Sequence, residues 1–488
     1  MSVGRRRLGA AFGALLICVL AATVGAANAQ ATTYYQATPV VGGLPDLWYL
    51  SMNPNGWSIG TSDDAGNSLP FAVLNEAGHR QEVTPCPISD ECSTQATGVN
   101  LSGQVSGIVA DYSTDGVSHA LLWDAATGAT TLLRPNSEAY GVNGVGQLVG
   151  GYQNASGHER AFLWDGWTFK DLGTLGGKQA VATASPEQNE AVGCAQTTNG
   201  AWHPFLYKNG TMKGLGLPPG FTRACAYSAN RKGQIVGGDE VFPWGGPSYG
   251  DGLSAVGAKA CKSWSRSASG KYTTIVASPA RTCLRATHVD PDGVVAVSAN
   301  GAYTWKAGIG LTQIRRANVP FGDDLYNGFN CRPLCSVLID GVASSNVHGQ
   351  LLVATDDQEG NDDSTGMLLT PIQIYDGSSP TITRGAGWAT VSSKGAWGGG
   401  VDLAKTAGAT MTFSFTGKSV SVIAPTGPGL ASATVTVDGV NRTTVDENTT
   451  SGQRQRVFRA TFPTVGQHTL QIVAGTGFQV DALTTTQY

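Results

Sequence analysis

The residue patterns that most enzymes use for covalent chemistry are missing from this sequence. It contains no Gly-x-Ser-x-Gly nucleophile motif, no His-Glu-x-x-His zinc motif, no phosphate-binding glycine loop and no dinucleotide-binding fingerprint. The acidic run DDQEGNDD (356–363) could offer oxygen ligands to calcium, but its spacing is not that of a helical calcium loop, and we interpret it as a solvated loop. The sequence therefore favours a binding or structural protein over an enzyme, without excluding an enzyme.

Residues 1–29 have the organisation of an export signal peptide. Three arginines (5–7) precede an apolar run (10–24), and Ala27-Asn28-Ala29 gives a small-residue cleavage site before Gln30. The apolar run is too short for a persuasive membrane span. Removing the three arginines changes the net charge from −4 to about −7, and no basic tract indicates nucleic-acid binding. We expect a secreted or cell-surface protein with no membrane span after cleavage.

Eight cysteines follow the signal peptide, and an even number of cysteines in an exported chain predicts disulfides. No Cys-x-x-Cys pair or nearby histidine cluster supports the alternative of a zinc site. We predict that neighbours along the chain pair, although other pairings stay open: Cys86–Cys92, Cys194–Cys225, Cys261–Cys283 and Cys331–Cys335.

A repeated segment organises residues 31–375. It begins with a polar residue, usually has glycine at its fourth position, and recurs every 43 to 60 residues, a period typical of one four-stranded propeller blade. Seven copies are present: NPNGWSIG (53–60), NLSGQVSG (100–107), NGVGQLVG (143–150), PEQNEAVG (186–193), NRKGQIVG (230–237), DPDGVVAV (290–297) and NVHGQLLV (346–353).

Between these segments lies an apolar patch that ends in an aromatic residue. Asp165-Gly166 and Asn209-Gly210 follow two of the patches and predict two-residue hairpins. Because the aromatic recurs at equivalent points, we expect it to pack between blades: Trp123, Trp164, Tyr207, Trp264 and Trp305.

The repeats predict an all-β fold with a seven-bladed β-propeller. Six or eight blades stay open because insertions stretch the fifth and sixth copies. Residues 31–45 contain a strand before the first complete copy, and the last copy is short, so we expect the amino-terminal strand to complete the final blade beside Met367. The irregular segments at 241–260 and 315–335 are the loops expected to carry function.

Four stretches of the repeats, HALLW (119–123), RAFLW (160–164), LGTLGG (172–177) and HPFLY (203–207), resemble the HAF extracellular repeat family of bacterial secreted proteins. The resemblance covers about residues 31–375 and implies an extracellular location and a propeller-like fold. It implies no activity, because members generally lack an assigned one. We interpret His119 and His203 as structural, each bonding a neighbouring blade through a ring nitrogen.

After a linker at 376–380, strands with period-two alternation predict a β-sandwich (jelly roll) over 381–488. The expected strands are MTFSF (411–415), SVSVIAP (419–425), SATVTVDG (432–439), QRVFRATF (455–462), HTLQIV (468–473) and FQVDALTT (478–485). Together with GWATVSS (387–393), this region resembles the galactose-binding-like jelly-roll modules of secreted bacterial proteins and glycosidases. The resemblance implies sugar binding, and a structural calcium ion is the one cofactor it implies.

Trp397, in the glycine-rich stretch KGAWGGG, is the expected sugar platform, because a flat ring can meet the apolar face of a sugar. Asp402, Arg442 and Arg456 are the expected polar contacts to the same ligand. Each of these residues could instead be ordinary surface.

The leading hypothesis is a monomeric, secreted or cell-surface binding protein. Its propeller is a scaffold, and its carboxy-terminal module attaches it to extracellular or cell-wall carbohydrate. The first alternative is a polysaccharide hydrolase or lyase with its site in the propeller funnel, which would need paired carboxylates there. The second alternative is a purely structural protein of the envelope or matrix.

Overall fold

Small antiparallel sheets make up the structure, which is a computed structural model. It describes residues 33–39, 47–62, 71–76, 79–83, 92–114, 116–239, 262–275, 284–299, 301–315, 319–320, 338–356 and 365–487. Within these residues the only helical segments are two short 3-10 turns, Tyr112–Thr114 and Trp397–Gly399. The predicted all-β class is therefore confirmed.

Six four-stranded sheets follow one another along the chain, each with its strands side by side in chain order. The first three contain β2 (Leu47–Met52), β3 (Ser58–Ser62), β4 (Phe71–Glu76) and β5 (His79–Glu82); β6 (Cys92–Val99), β7 (Gln104–Asp111), β8 (Val117–Asp124) and β9 (Thr130–Pro135); and β10 (Ser137–Val142), β11 (Leu148–Gln153), β12 (Glu159–Trp164) and β13 (Phe169–Asp171). The next three contain β14 (Gly176–Ala184), β15 (Ala191–Thr197), β16 (Trp202–Lys208) and β17 (Thr211–Gly214); β18 (Cys225–Ala229), β19 (Ile235–Gly238), β20 (Ser263–Arg266) and β21 (Tyr272–Ile275); and β22 (Arg285–Val289), β23 (Val295–Ala299), β24 (Gly301–Lys306) and β25 (Gly310–Ile314).

The amino-terminal strand completes a seventh set of four strands. β26 (Leu338–Ser345), β27 (Leu351–Asp356) and β28 (Thr365–Tyr375) lie in chain order, and β1 (Tyr34–Pro39) adds to the far edge of β28. The pairing is antiparallel, with Tyr34 opposite Ile372 and Pro39 opposite Met367. The predicted pairing of the amino-terminal strand beside Met367 is confirmed.

Each copy of the polar-glycine segment forms the turn between the first and second strands of its sheet. In the second sheet, Asn100 Oδ1 accepts hydrogen bonds from the backbone N–H groups of Ser102 (3.0 Å) and Gln104 (2.9 Å). Gly103 has a φ of +79°, which glycine adopts without a steric penalty. The same two bonds recur in the turns of Asn53, Asn143, Asn230, Asp290 and Asn346.

The amide nitrogens of these asparagines reach the turn of the next sheet. Asn53 Nδ2 donates to the carbonyl oxygen of Asn100 (2.8 Å), and Asn100 Nδ2 donates to that of Asn143 (2.9 Å). Asn143 Nδ2 in turn donates to Ser185 Oγ of the fourth sheet's turn (3.0 Å). One side chain therefore shapes its own turn and joins two sheets.

Two further bonds of this kind connect later sheets. Asn230 Nδ2 donates to the carbonyl oxygen of Asp290 (2.9 Å), which joins the fifth and sixth sheets. Asn346 Nδ2 in the seventh sheet lies 3.4 Å from the carbonyl oxygen of Pro54 in the first, so the series returns to its start. We call these side chains the asparagine ladder: Asn53, Asn100, Asn143, Asn230 and Asn346.

The recurring aromatic residues pack between consecutive sheets, as predicted. Buried Trp123 of β8 shares a hydrophobic cluster with Ile59 and Leu74 of the first sheet. Buried Trp305 of β24 shares one with Val236 of the fifth sheet. Each sheet therefore buries its apolar side chains against the sheet that precedes it.

His119 bonds within its own sheet, so the predicted bond to a neighbouring blade is wrong for this residue. Its Nδ1 lies 2.9 Å from the carbonyl oxygen of Leu133 in β9. The register between β8 and β9 shifts between His119 and Leu121, which leaves that carbonyl outside the strand ladder and available to the imidazole. His203 lies half-buried on β16.

The predicted disulfide between Cys194 and Cys225 is confirmed and ties β15 of the fourth sheet to β18 of the fifth. Cys92 is also disulfide-bonded. Its predicted partner and the other two predicted pairs lie outside the described residues: Cys86, Cys261–Cys283 and Cys331–Cys335.

The carboxy-terminal region contains two sheets around one hydrophobic cluster. The larger one includes β29 (Ile382–Arg384), β32 (Ala409–Thr426), β33 (Ser432–Val437), β34 (Val440–Asp446), β35 (Gly452–Ala474) and β37 (Ala482–Thr486). The smaller one contains β30 (Trp388–Ser392), β31 (Gly400–Ala404) and β36 (Gln479–Val480). Residues of both sheets, such as Phe413 and Val480, contribute to the cluster.

The strand boundaries in this region differ from those predicted. The segments 411–415 and 419–425 belong to one strand, β32, and the segments 455–462 and 468–473 belong to one strand, β35. The pairing of β32 with β35 shifts register between Gly417 and Ser419 and between Val422 and Ile423, so each strand continues through bulges without a chain reversal. The turn-type residues between these predicted strand segments therefore mark bulges within one strand, not chain reversals between two.

One strand belongs to both the seventh set and the carboxy-terminal region. The portion of β28 from Met367 to Ile372 pairs with β1, and Gln373 to Tyr375 pairs with β37. A hydrogen-bonded turn follows, in which the N–H of Ser379 donates to the carbonyl oxygen of Asp376 (3.0 Å). The two regions are therefore joined by backbone hydrogen bonds as well as by the chain.

We expect Asn100→Ala to lower the free energy of unfolding by about 1–3 kcal/mol, because it leaves buried backbone groups in two turns without partners. Chemical denaturation of the mature protein measures this difference. Ser102→Ala is the matched control, since Ser102 is an exposed residue of the same turn. Equal stabilities of the two variants would contradict a role of the ladder in stability.

Candidate functional site

Trp397, the predicted sugar platform, lies where the carboxy-terminal region meets the amino-terminal strand. Its backbone N–H donates to Asp481 Oδ1 (2.6 Å). The edge of the Tyr34 ring meets the indole with centroids 4.8 Å apart, and the Arg454 guanidinium carbon lies 5.4 Å from the indole centroid. The indole also packs with Ile372 of β28, so it takes part in the junction between the two regions.

Asp402 is enclosed beside the same junction. Its side chain is 2% exposed and forms an ion pair with Arg384 Nη2 at 2.7 Å. The hydroxyl of Thr390 donates to its other oxygen at 2.8 Å. The Arg384 guanidinium also donates to the carbonyl oxygen of Gly377. Asp402 therefore holds the turn that follows β28, rather than presenting a carboxylate to solvent.

The two predicted arginine contacts lie on other elements. Arg442 is exposed on β34, which pairs with β33, and its charge acts on Asp438 of the intervening hairpin. Arg456 is half-buried on β35. Trp397 and Asp402 are thus brought together at the junction, and Arg442 belongs to the separate hairpin of β33 and β34.

The most exposed tryptophan among the described residues is Trp167, which sequence reasoning did not select. Its side chain is 95% exposed at the tip of the β12–β13 hairpin. Asp165 Oδ1 accepts the backbone N–H groups of Trp167 (3.0 Å) and Thr168 (2.7 Å), and Gly166 has a φ of +98°. The hairpin therefore has a defined conformation and holds a large apolar ring in water.

A sequence signal for Trp167 was available. The hairpin tip in the fourth sheet carries Asn209-Gly210, and in the sixth it carries Gly308 with Ile309. Tryptophan at such a tip departs from the small and polar residues that turns favour. The hairpin predicted at Asp165-Gly166 is confirmed, and Trp167 directly follows this motif.

Two other exposed apolar side chains lie at the same end of these sheets. Val145 (61% exposed) is in the β10–β11 turn, and Leu101 (43% exposed) is in the β6–β7 turn. In an antiparallel meander, the first and third turns lie at one end of the sheet, so Val145 and Trp167 share an end. The bond from Asn100 to Asn143 places the two inner turns side by side. We call Leu101, Val145, Trp167 and their turns the turn edge.

Two carboxylates border the turn edge. The backbone N–H groups of Thr168 and Trp167 hold the pKa of Asp165 below its usual value, so this exposed group is ionised near neutral pH. Asp124 begins the corresponding hairpin of the second sheet and accepts the backbone N–H (3.0 Å) and hydroxyl (2.9 Å) of Thr127.

The cations near the turn edge already have partners. Lys170 Nζ lies 5.3 Å from the ring centroid of Tyr207 in the fourth sheet. Arg231, which approaches the backbone at Gly144, forms an ion pair with Glu187 at 3.2 Å. The turns themselves, NLSGQ (100–104) and NGVGQ (143–147), carry no charge.

No group of three or more His, Cys, Asp or Glu side chains is arranged to hold a metal ion in the part of the chain that the structure describes. The loop predicted at 241–260, most of the loop at 315–335 and nearly all of the acidic run at 356–363 lie outside that part. In the described ranges, no helix has both the length and the apolar character needed to cross a membrane.

No family model matches the chain, so the resemblance to HAF repeats stays a prediction. No curated protein matches it either. Similar solved structures include β-propeller proteins and a carbohydrate-binding module. The propeller domain of the Trilobed protease from Pyrococcus furiosus is 11% identical, covers 64% of this chain and 93% of its own, and has a TM-score of 0.39.

Two further structures have lower scores. A family 35 carbohydrate-binding module from an environmental isolate is 19% identical, covers 23% of this chain and 96% of its own, and has a TM-score of 0.19. An exo-β-1,3-galactanase from Phanerochaete chrysosporium is 10% identical, covers 92% of this chain and 99% of its own, and has a TM-score of 0.28. At these identities and scores, the function has to follow from the chain's own residues.

The junction gives a pH-dependent prediction. Burial raises the pKa of Asp481 to about 6, although the N–H of Trp397 and the charge of Arg454 partly oppose the rise. The usual unfolded value is about 3.9, so ionising Asp481 disfavours folding, and stability decreases as pH rises from about 4 through about 6.

Asp481→Asn keeps an acceptor for the Trp397 N–H and removes the charge. We expect the free energy of unfolding of the variant, relative to the native protein, to increase by roughly 1–2 kcal/mol between pH 4 and pH 7, after allowing for solvent screening. Urea denaturation at several pH values measures it. A difference that stays constant over this range would exclude Asp481 as the titrating group.

Proposed function

We propose that this protein is an exported carbohydrate-binding protein. In this proposal the seven four-strand sets are the blades of a closed β-propeller, and the carboxy-terminal region is a β-sandwich fused to the last blade. The asparagine ladder, which returns from the seventh set to the first, supports closure. The sharing of β28 between β1 and β37 supports the fusion.

The exposed indole of Trp167 is the observation that carries the binding function. A fully hydrated tryptophan contributes nothing to a packed core, and an aromatic ring on a rigid turn can stack against the C–H face of a sugar. The Asp165 carboxylate beneath it can accept hydroxyl hydrogen bonds on the same hairpin. An apolar surface with few oriented polar groups is the usual composition of a small-ligand site.

The carboxy-terminal sandwich holds the propeller seam in this proposal, because Trp397 packs against Tyr34 of the closing strand. A second carbohydrate contact through Trp397, Asp402, Arg442 and Arg456 and a structural calcium ion stay predictions. An extracellular location is supported by the disulfide between Cys194 and Cys225, which an oxidising compartment favours. A monomeric state also belongs to the proposal.

We expect Trp167→Ala to weaken binding to soluble polysaccharide about tenfold or more, because truncating a central aromatic contact typically costs more than 1 kcal/mol. Affinity electrophoresis or calorimetry with the mature protein measures the loss. Thermal stability should not change, since the side chain is 95% exposed. Ile309→Ala is the control, because Ile309 is an exposed hairpin residue of the sixth sheet. Equal losses in both variants would contradict a site at Trp167.

A further inference from the structure

We infer that the ligand of the turn edge is an uncharged oligosaccharide that lies across the second and third sheets. One sugar ring stacks on Trp167, and the next lies over Val145 towards Leu101. This inference rests on the proposed function and specifies the chemical class of the ligand and its direction on the surface.

The spacing of the exposed side chains sets the length of the site. The β10–β11 and β12–β13 turns are separated by two strand spacings, or about 10 Å. That distance suits two linked sugar rings, whereas a single ring on Trp167 would leave Val145 uncovered. Leu101 lies in the adjoining turn of the second sheet, since the Asn100–Asn143 bond brings the two turns into contact.

The backbone of the inner turns is rigid enough to serve as a subsite. Gln147 donates its amide to Asn189 Oδ1 (2.9 Å), and Gln147 Oε1 accepts the Asn189 N–H (2.7 Å). The turn that carries Val145 is thus fixed from both neighbouring sheets. A ligand that binds there does not have to order the loop, which lowers the entropic penalty of binding.

The charges around the site select against anionic ligands. Asp124 and Asp165 flank the turn edge, and each accepts hydrogen bonds from N–H or hydroxyl donors of its own turn. Arg231 is neutralised by Glu187, and Lys170 faces the Tyr207 ring. A uronate or sulfate group would therefore approach two carboxylates, and these two cations already contact other groups. Hydroxyl groups can donate to the same carboxylates.

The same arrangement disfavours a lipid surface. Proteins that dock on anionic membranes place free lysines and arginines around their exposed apolar residues. The turn edge instead surrounds its apolar side chains with Asn, Gln, Ser, Gly and two aspartates. These groups form hydrogen bonds with hydroxyls and are poorly suited to insertion between acyl chains.

The test compares soluble β-1,3-glucan, galactan and mannan with polygalacturonate and with phosphatidylcholine and phosphatidylglycerol vesicles. The inference predicts that the mature native protein binds at least one neutral polysaccharide and that Trp167→Ala reduces this binding about tenfold or more. Polygalacturonate and both vesicle types should bind at least tenfold more weakly.

A variant with an added positive charge tests whether the ligand contacts Val145 and whether charge excludes anionic ligands. Val145→Lys places a cation on an exposed position of the turn edge, so it should weaken neutral binding and raise polygalacturonate binding about threefold or more. Ile309→Lys carries the same charge change on the sixth sheet and should leave both unchanged. Circular dichroism and thermal melting confirm that the variants are folded.

The outcomes separate the two proposals. Trp167-dependent binding that prefers polygalacturonate or vesicles overturns the inference about ligand class and leaves the turn edge as a binding site. Neutral binding that Trp167→Ala removes but Val145→Lys leaves unchanged overturns the two-ring placement. Binding that is indifferent to Trp167, or absent for every probe, overturns the proposed function itself.

Discussion

The side-chain amide of a turn asparagine, present in five of the seven four-strand sets, is the interaction on which the rest of this structure depends. Its oxygen closes the turn between the first two strands, and its nitrogen binds the backbone of the next turn, as Asn100 does to Asn143. These groups are buried, so each bond removed would leave unsatisfied polar atoms in two sheets at once. Neighbouring sheets are thereby held at a fixed distance near the first strand, and the apolar side chains farther along each sheet, such as Trp123, pack between sheets whose spacing is already set.

The seventh set differs from the other six sheets in that its four strands are not consecutive in the chain. Its fourth strand comes from the opposite end of the chain, so the seam between β1 and β28 is held by strand pairing without a covalent turn. The carboxy-terminal region lies over this seam. Trp397 packs on Tyr34, and β37 pairs with the part of β28 that continues past β1. Burying an indole and extending a strand at this point stabilises the pairing most exposed to fraying.

The sequence predicted those features that depend on local pattern and repetition. Turn chemistry predicted the glycine at position 103 and the hairpins at Asp165-Gly166 and Asn209-Gly210. The pairing of the amino-terminal strand followed from the one strand that is missing in the last copy. The sequence leaves Cys194–Cys225 as one of several possible pairings. The structure shows this bond between the fourth and fifth sheets. The packing of Trp397 at the junction could not be predicted, because its partner Tyr34 lies more than 360 residues away in the sequence. Likewise, a bulge and a chain reversal use similar small residues, so the sequence predicts two strands, 411–415 and 419–425, where Gly417 marks a bulge within β32.

A repeat also indicates where function lies, because it separates what the scaffold needs from what it tolerates. A residue that recurs in most copies, such as the ladder asparagine or the packed aromatic, is accounted for by the assembly of the sheets. Residues at hairpin tips, such as Trp167, are largely exposed, so the scaffold constrains their identity less, and small polar residues are favoured there by turn chemistry and solubility. Ile309 departs from that preference in the sixth sheet, and Trp167 departs further, with a side chain that is 95% exposed against 51% for Ile309, on a hairpin with the hydrogen bonds of an ordinary turn. An exposed indole at that position adds nothing to folding and favours unwanted association, which is why the proposed ligand is placed on this hairpin.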